Sequence, residues 1–182
     1  MSDKPKPFVF VDTCSLLDSC WNMSSNGRGS VYSQSKEKHF WGREFSALEQ
    51  AGSIIVPLRN WQELEKFSEG ARGKSLQERS RHVLQIMSPL VNTGRMQIVG
   101  DKNDPFADAI LLSVALKFIT QRNLFFITQD RALAKDLNAI NQFGSITRKR
   151  SLMVKRVGYD GSVEDHRGLA RSARSSSVKL TP

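Results

Sequence analysis

The chain predicts an α/β fold, a three-layer α/β/α sandwich around a central, mainly parallel sheet of four to five strands. Three observations carry this. Short apolar runs rich in Val, Ile and Phe recur along the chain, as strands buried on both faces require. Segments of helical period separate them, and alternating strands and helices give a parallel sheet covered on both faces. Acidic residues follow the strands, at the edge where open parallel sheets bind ligands.

The elements follow in order. Phe8-Val-Phe-Val-Asp12 is an apolar run ending in an acid, and a helix is expected from about Ser15. Residues 22–35 are rich in turn formers and read as a loop. Lys36 to Ala51 is helical, with Phe40, Trp41, Phe45 and Leu48 on one side. A second strand, Ser53 to Pro57, precedes Asn60-Trp-Gln-Glu63, which has the form of a capping box. Ser75-Leu-Gln-Glu78 is another, opening a further helix. Met96 to Val99 is a third strand. Asp104-Pro105 reads as a helix start, with Asp as N-cap and Pro as first helical residue. That helix, running through Leu111 to Ile119, is apolar nearly all round and is expected at the centre of the fold. Leu124 to Thr128 is a fourth strand, Arg131 to Ile140 a helix, and Leu152 to Val157 a fifth strand at a sheet edge. The folded domain is expected over residues 1–157, with a basic, Ser/Arg-rich, disordered tail over 158–182.

Composition narrows the function. The 182 residues suit one domain, and no apolar run reaches the ~18 residues of a membrane span. The N-terminus lacks the apolar core of a signal peptide, so a cytoplasmic protein is expected. Cys14 and Cys20 match neither a redox pair nor a zinc knuckle and are expected as reduced thiols. The three histidines are scattered, so a metal site would have to be built from oxygen ligands, which suit Mg2+ or Mn2+. Net charge is +9, of which +6 falls in residues 148–182 (nine Lys/Arg against three Asp/Glu). Arg148, Lys149, Arg150, Lys155 and Arg156 are therefore candidates for binding nucleic-acid phosphates. Gly70-Ala-Arg-Gly-Lys-Ser75 approaches a phosphate-binding loop, but Ser68 stands where its first Gly is needed and a helix precedes it, which argues against an NTPase.

Four acids stand out. Asp12 and Asp130 lie at the carboxyl ends of the first and fourth strands, where each could equally cap the helix that follows. Glu63 follows the second strand, and its plainer role is the capping box with Asn60. Asp108 lies one turn inside the apolar helix, where an unpaired carboxylate would cost several kcal/mol. Asp104, a turn earlier, is an N-cap or an auxiliary ligand. Grouped like charges are costly unless divalent cations neutralise them, and such a group can hold two hard cations for phosphodiester hydrolysis.

Phe8-Val-Phe-Val-Asp-Thr-Cys-Ser15, Val56-Pro57 with Gln62-Glu63-Leu64, Asp108-Ala-Ile-Leu111 and Phe126-Ile-Thr-Gln-Asp130-Arg-Ala-Leu133 together resemble a PIN domain over about residues 8–147. The resemblance implies an endoribonuclease dependent on Mg2+ or Mn2+, cutting single-stranded or structured RNA. It implies catalytic and metal-binding roles for Asp12, Glu63, Asp108 and Asp130, with Thr13, Ser15, Asp104 and Thr128 supporting them. It brings a homodimer and an antitoxin-like inhibitor into view as partners. The long loop and the basic tail depart from compact PIN toxins. The same scaffold as a non-catalytic RNA- or protein-binding module, a DNA nuclease with the same acids, and the toxin of a toxin–antitoxin pair are the alternatives.

Overall fold

A computed structural model describes residues 5–24, 29–104, 106–143 and 151–166. Arg148, Lys149 and Arg150, Pro105 and the tail beyond His166 lie outside them. Six strands form one sheet in the order β5-β4-β1-β6-β7-β8. They are β1 (Phe8–Val11), β4 (Ser53–Pro57), β5 (Gln97–Val99), β6 (Leu124–Ile127), β7 (Leu152–Val157) and β8 (Val163–Asp165). The first five run parallel, and β8 closes antiparallel on β7. β1 is central, paired with β4 on one side and β6 on the other.

Side-chain alternation builds the three layers. Val9, Val11, Ile54, Val56 and Ile127 join one core under α1 (Thr13–Asp18), α3 (Phe45–Ala51), α4 (Leu58–Ser68) and α5 (Lys74–Asn92). Phe10, Ile55, Leu124, Phe126, Leu152 and Val154 join the other, under α6 (Ala107–Phe118) and α7 (Arg131–Phe143). Each side chain of this size taken fully from water contributes roughly 1.5–3 kcal/mol. Both cores draw on every central strand, which holds β1 and β6 in register at the middle of the sheet. From β1 the chain is carried towards β4 and β5, and from β6 towards β7. The carboxyl ends of β1 and β6 thus flank the switch point where such sheets open a crevice.

Several expectations are corrected. Within 22–35 the chain forms a small antiparallel hairpin, β2 (Trp21–Met23) with β3 (Ser30–Tyr32). It is pinned by Lys36, buried at the start of helix α2 (Gln34–Glu37), whose Nζ donates to the Trp21 carbonyl and to Asn22 Oδ1. A π-helical stretch, Lys38–Glu44, joins α2 to α3. The boundary at 157 falls inside the folded domain. β7 is not an edge strand, because the chain turns back through Gly161 to form β8. Gly161 has φ +92 and lies against the Lys36 carbonyl, so a side chain there would be both strained and obstructed. Helix α6 is not sheathed in protein: Ala107, Leu111 and Ala115 are buried, but Leu116 is 63% exposed. No helix among the described residues is long and apolar enough to cross a membrane.

Candidate functional site

The carboxyl ends of β1 and β6 bring Asp12 and Asp130 to one cleft, and α4 and α6 bring Glu63 and Asp108 to its sides. The cleft has a volume of about 340 Å3, and all four acids line it together with Thr13, Cys14 and Gln129. Among the described residues, none of the side chains lining it is a Lys or Arg.

Asp12 is buried, at 7% exposure, and is the anchor. Its Oδ1 accepts from the Thr13 backbone N–H at 2.8 Å and from Asn60 Nδ2 at 2.8 Å. Its Oδ2 accepts from Thr128 Oγ1 at 2.9 Å and from the Cys14 thiol at 2.7 Å. Two hydroxyls then tie the cluster together. Thr13 Oγ1 accepts from Asn60 Nδ2 at 2.8 Å and donates to Glu63 Oε2 at 2.8 Å, which aims Glu63 into the cleft. Thr128 Oγ1 accepts from the Asp130 backbone N–H at 3.0 Å while donating to Asp12. Below Thr128, the buried His166 ring sits with Nε2 at 2.7 Å from the Thr128 carbonyl. Burial lowers the His166 pKa, so the neutral ring donates to that carbonyl and steadies the end of β6.

Asp130 keeps its helix-capping role as well. Its Oδ1 accepts from the Ala132 and Leu133 N–H groups at 2.7 and 3.1 Å at the head of α7. Asp108 is not enclosed in an apolar helix as expected. The residue is exposed in the first turn of α6, where the helix dipole favours an anion. Its carboxyl still loses part of its hydration at the cleft. That desolvation, then the charges of Asp12 and Asp130, raise its pKa above the ordinary value. Glu63 is raised too: burial is the largest cause, and the charges of Asp12 and Asp108 add to it, against the lowering effect of the Thr13 hydrogen bond. The Asp12 charge thus reaches both Glu63 and Asp108, and that of Asp130 reaches Asp108.

The remaining expected site residues fall elsewhere. Ser15 is fully buried in α1, and its Oγ has no hydrogen-bond partner among the described residues. Asp104 caps a turn and not a helix: its Oδ2 accepts from the Asp101 N–H at 2.6 Å, and it lies outside the cleft. Helix α6 begins instead at Ala107, with Phe106 at the N-cap position. Lys155 pairs with Asp165, and Arg156 with Glu164, across β7 and β8, so their charge is balanced within the sheet.

Two site residues were not expected. Asn60 is no helix cap: α4 starts at Leu58, and Asn60 is fully buried with its amide on Asp12 and Thr13. Its spacing of three from Glu63, which places both on one helix face, is the signal that was there to be found. Cys14 is the other. Burial is the largest cause, and the Asp12 charge the next, of a pKa pushed up to about 12, so it is a thiol that donates to Asp12. A second titratable group also assembles: ligand atoms of Cys20, Glu37 and His82 lie within 4.8 Å of one another. Here the groups hydrogen-bond to one another, His82 Nε2 sitting 2.5 Å from Glu37 Oε2. Burial works against the Glu37 carboxylate, but hydrogen bonds from His82 and Tyr32 outweigh it and hold its pKa below the ordinary value.

No family model matches the chain, and no curated protein is similar enough to match. Among solved structures the chain is similar to a domain of a functionally unknown protein from Methanocaldococcus jannaschii DSM 2661. The identity is 16% and the TM-score 0.46, over 81% of this chain and 91% of that one.

Proposed function

We propose that this protein is a cytoplasmic, divalent-metal-dependent endoribonuclease built on a PIN-type scaffold. The observation that carries the reading is the cleft of four carboxylates with no cationic side chain among the described residues on its walls. Such a cleft gains stability at neutral pH when a cation enters it. The donor set consists of carboxylate oxygens, which fits hard cations such as Mg2+ or Mn2+. The Cys14 sulfur is a soft donor and a poor match for such cations.

Asp12, Asp108 and Asp130 would hold the metal, with Glu63 holding metal or water. Lewis acidity towards the phosphodiester, and towards the water that attacks it, is what the bound metal supplies. The protein's own groups do the positioning. Thr13 fixes Glu63 through its hydroxyl, and Asn60 fixes Thr13 and Asp12 together. Glu63, with its raised pKa, is the carboxylate best suited to take a proton from an attacking water. Asp12 has one demand to meet. A carboxylate offers about four lone-pair sites, and all four of its donors are in place. Contact between Asp12 and a cation therefore requires one donor to give way, and the thiol of Cys14 is the weakest of the four.

The test is cleavage of a labelled single-stranded RNA by the purified protein with Mg2+ or Mn2+, against the same reaction in excess EDTA. Cleavage that survives EDTA would sink the metal-dependent reading. Cleavage of DNA but not RNA would move the protein to the DNA nuclease class.

A further inference from the structure

We propose that a second cleft, opening directly off the acidic one, is the docking track for the single polynucleotide strand that leads to the scissile phosphate. This rests on the nuclease reading above. The cleft has a volume of about 460 Å3 and shares Glu63 and Phe67 with the acidic cleft, so one extended ligand can occupy both. Its walls change in character at that junction. The acidic cleft holds four carboxylates, whereas this one is lined by Arg59, Lys66 and Arg72.

The cations are arranged for phosphate. Arg59, Glu63 and Lys66 fall on one face of α4, at the spacing of successive helical turns. Arg59 is held by neutral groups: its Nε donates to the Asp104 carbonyl at 2.7 Å and its Nη1 to Gln62 Oε1 at 3.2 Å. Lys66 and Arg72 are exposed, and neither has a carboxylate ion-pair partner among the described residues. The Arg72 guanidinium lies over the Phe67 ring, 5.3 Å from its centre, which pre-orients it beside the junction of the clefts. Its charge also reaches Glu63, lowering that group's pKa against the stronger effect of burial.

The aromatic element selects the strand. Phe106, at the N-cap of α6, lines the track and is 88% exposed, the largest exposure of any large apolar side chain among the described residues. An aromatic ring held in water beside free cations offers a base a stacking platform. Only an unpaired strand can present a base to it, since a duplex keeps its bases stacked inside. The geometry therefore assigns phosphates to Lys66 and Arg72, a base to Phe106, and the scissile bond to the acidic cleft.

Binding and cleavage separate the test of this track from the test of the reaction. The full chain carrying Asp12→Asn would be titrated in Mg2+ with a fluorescent single-stranded RNA of about 12 nucleotides, followed by anisotropy across a salt series. Phe106→Ala is expected to weaken binding about tenfold. Lys66→Ala with Arg72→Ala is expected to lower the slope of log affinity against log salt by about 1.4, roughly 0.7 for each phosphate no longer neutralised. The side chains of all three positions are solvent-facing, and unchanged melting temperatures would confirm intact folds. The same oligonucleotide as a duplex should bind more weakly and be indifferent to Phe106→Ala, while a single-stranded DNA of the same sequence should respond to it as RNA does. If the variants leave affinity and salt slope unchanged while the chain with Asp12 intact cuts RNA, the track is wrong and the nuclease reading stands. If the variants act as expected but no cleavage occurs in either metal, the track stands and the reading fails. An acidic peptide that displaces the RNA with equal affinity and the same dependence on Phe106 would overturn the assignment to a nucleic acid.

Discussion

The protein holds two clusters of titratable side chains, and they are built on opposite principles. Around Cys20, Glu37 and His82 the polar groups satisfy one another within the cluster. The carboxylate takes hydrogen bonds from His82 and Tyr32, and its pKa falls. In the acidic cleft burial, and then the adding of like charges, raises the pKa values of Glu63 and Asp108. The first is complete as it stands and contributes to holding α2 against α5. The second gathers like charges that the hydrogen bonds of Asn60, Thr13 and Thr128 hold in place. A cluster that costs the fold something is the better place to look for chemistry.

The sharpest way to break the contrast is Asp12→Asn. It should reduce RNA cleavage below detection while the melting temperature stays close to that of the parent; retained activity would remove Asp12 from the site. Asn60→Ala comes next, with an expected loss of about 10–100-fold in activity or metal affinity because two acceptors lose their orienting donor. It should also cost about 1–3 kcal/mol in denaturant unfolding, since a buried carboxylate is left short of a donor.

A subtler test exploits the sign of the pKa shifts. Glu63 and Asp108 titrate above their ordinary values of 4.5 and 3.8, so the folded state binds protons more readily than the unfolded one. Their stabilising contribution is present below those ordinary values and is lost as pH rises through the shifted ones. In chelator at neutral pH, Asp108→Asn should therefore raise the melting temperature. Mg2+ should raise that of the parent at pH 7 and much less near pH 4; a response equal at both would argue that the metal binds elsewhere. In the other cluster, Glu37→Gln should cost about 1 kcal/mol or less and leave the Mg2+ response intact. The smallest effect expected is from Cys14→Ala. Freeing one lone pair of Asp12 should tighten Mg2+ binding a few-fold by calorimetric titration, and weaker binding would show that the thiol supports the site instead of obstructing it.

The layers are legible in the sequence because the strands are short apolar runs, buried on both faces, between segments of helical period. The positions of Asp12 and Asp130 follow from topology alone. Asn60 is not legible, because Asn-x-x-Glu reads locally as a capping box and only the fold shows that its amide turns inward to Asp12. Asp108 stands out in the sequence for the wrong reason: the apolar run around it suggests an enclosed helix, whereas one flank of α6 is exposed. The β2–β3 hairpin and β8 leave little trace in the sequence because each strand is three residues long and stable only through what it leans on. For the hairpin that support is Lys36 and the contact of Trp21 with His82 and Arg79.

The short strand β8 has a consequence for handling the chain. It pairs with β7 over Lys155 to Val157 and covers part of that strand's outer edge. A chain cut at Val157 would leave that row of N–H and C=O groups unpaired, next to the half-exposed Met153. Bare edges of this kind template strand addition from a second molecule. Such a fragment is expected to self-associate, and it would also lack the His166 hydrogen bond to Thr128. A loss of activity in it would then report aggregation before it reported anything about the basic tail. Cutting after His166 removes the tail and keeps β8 paired on β7.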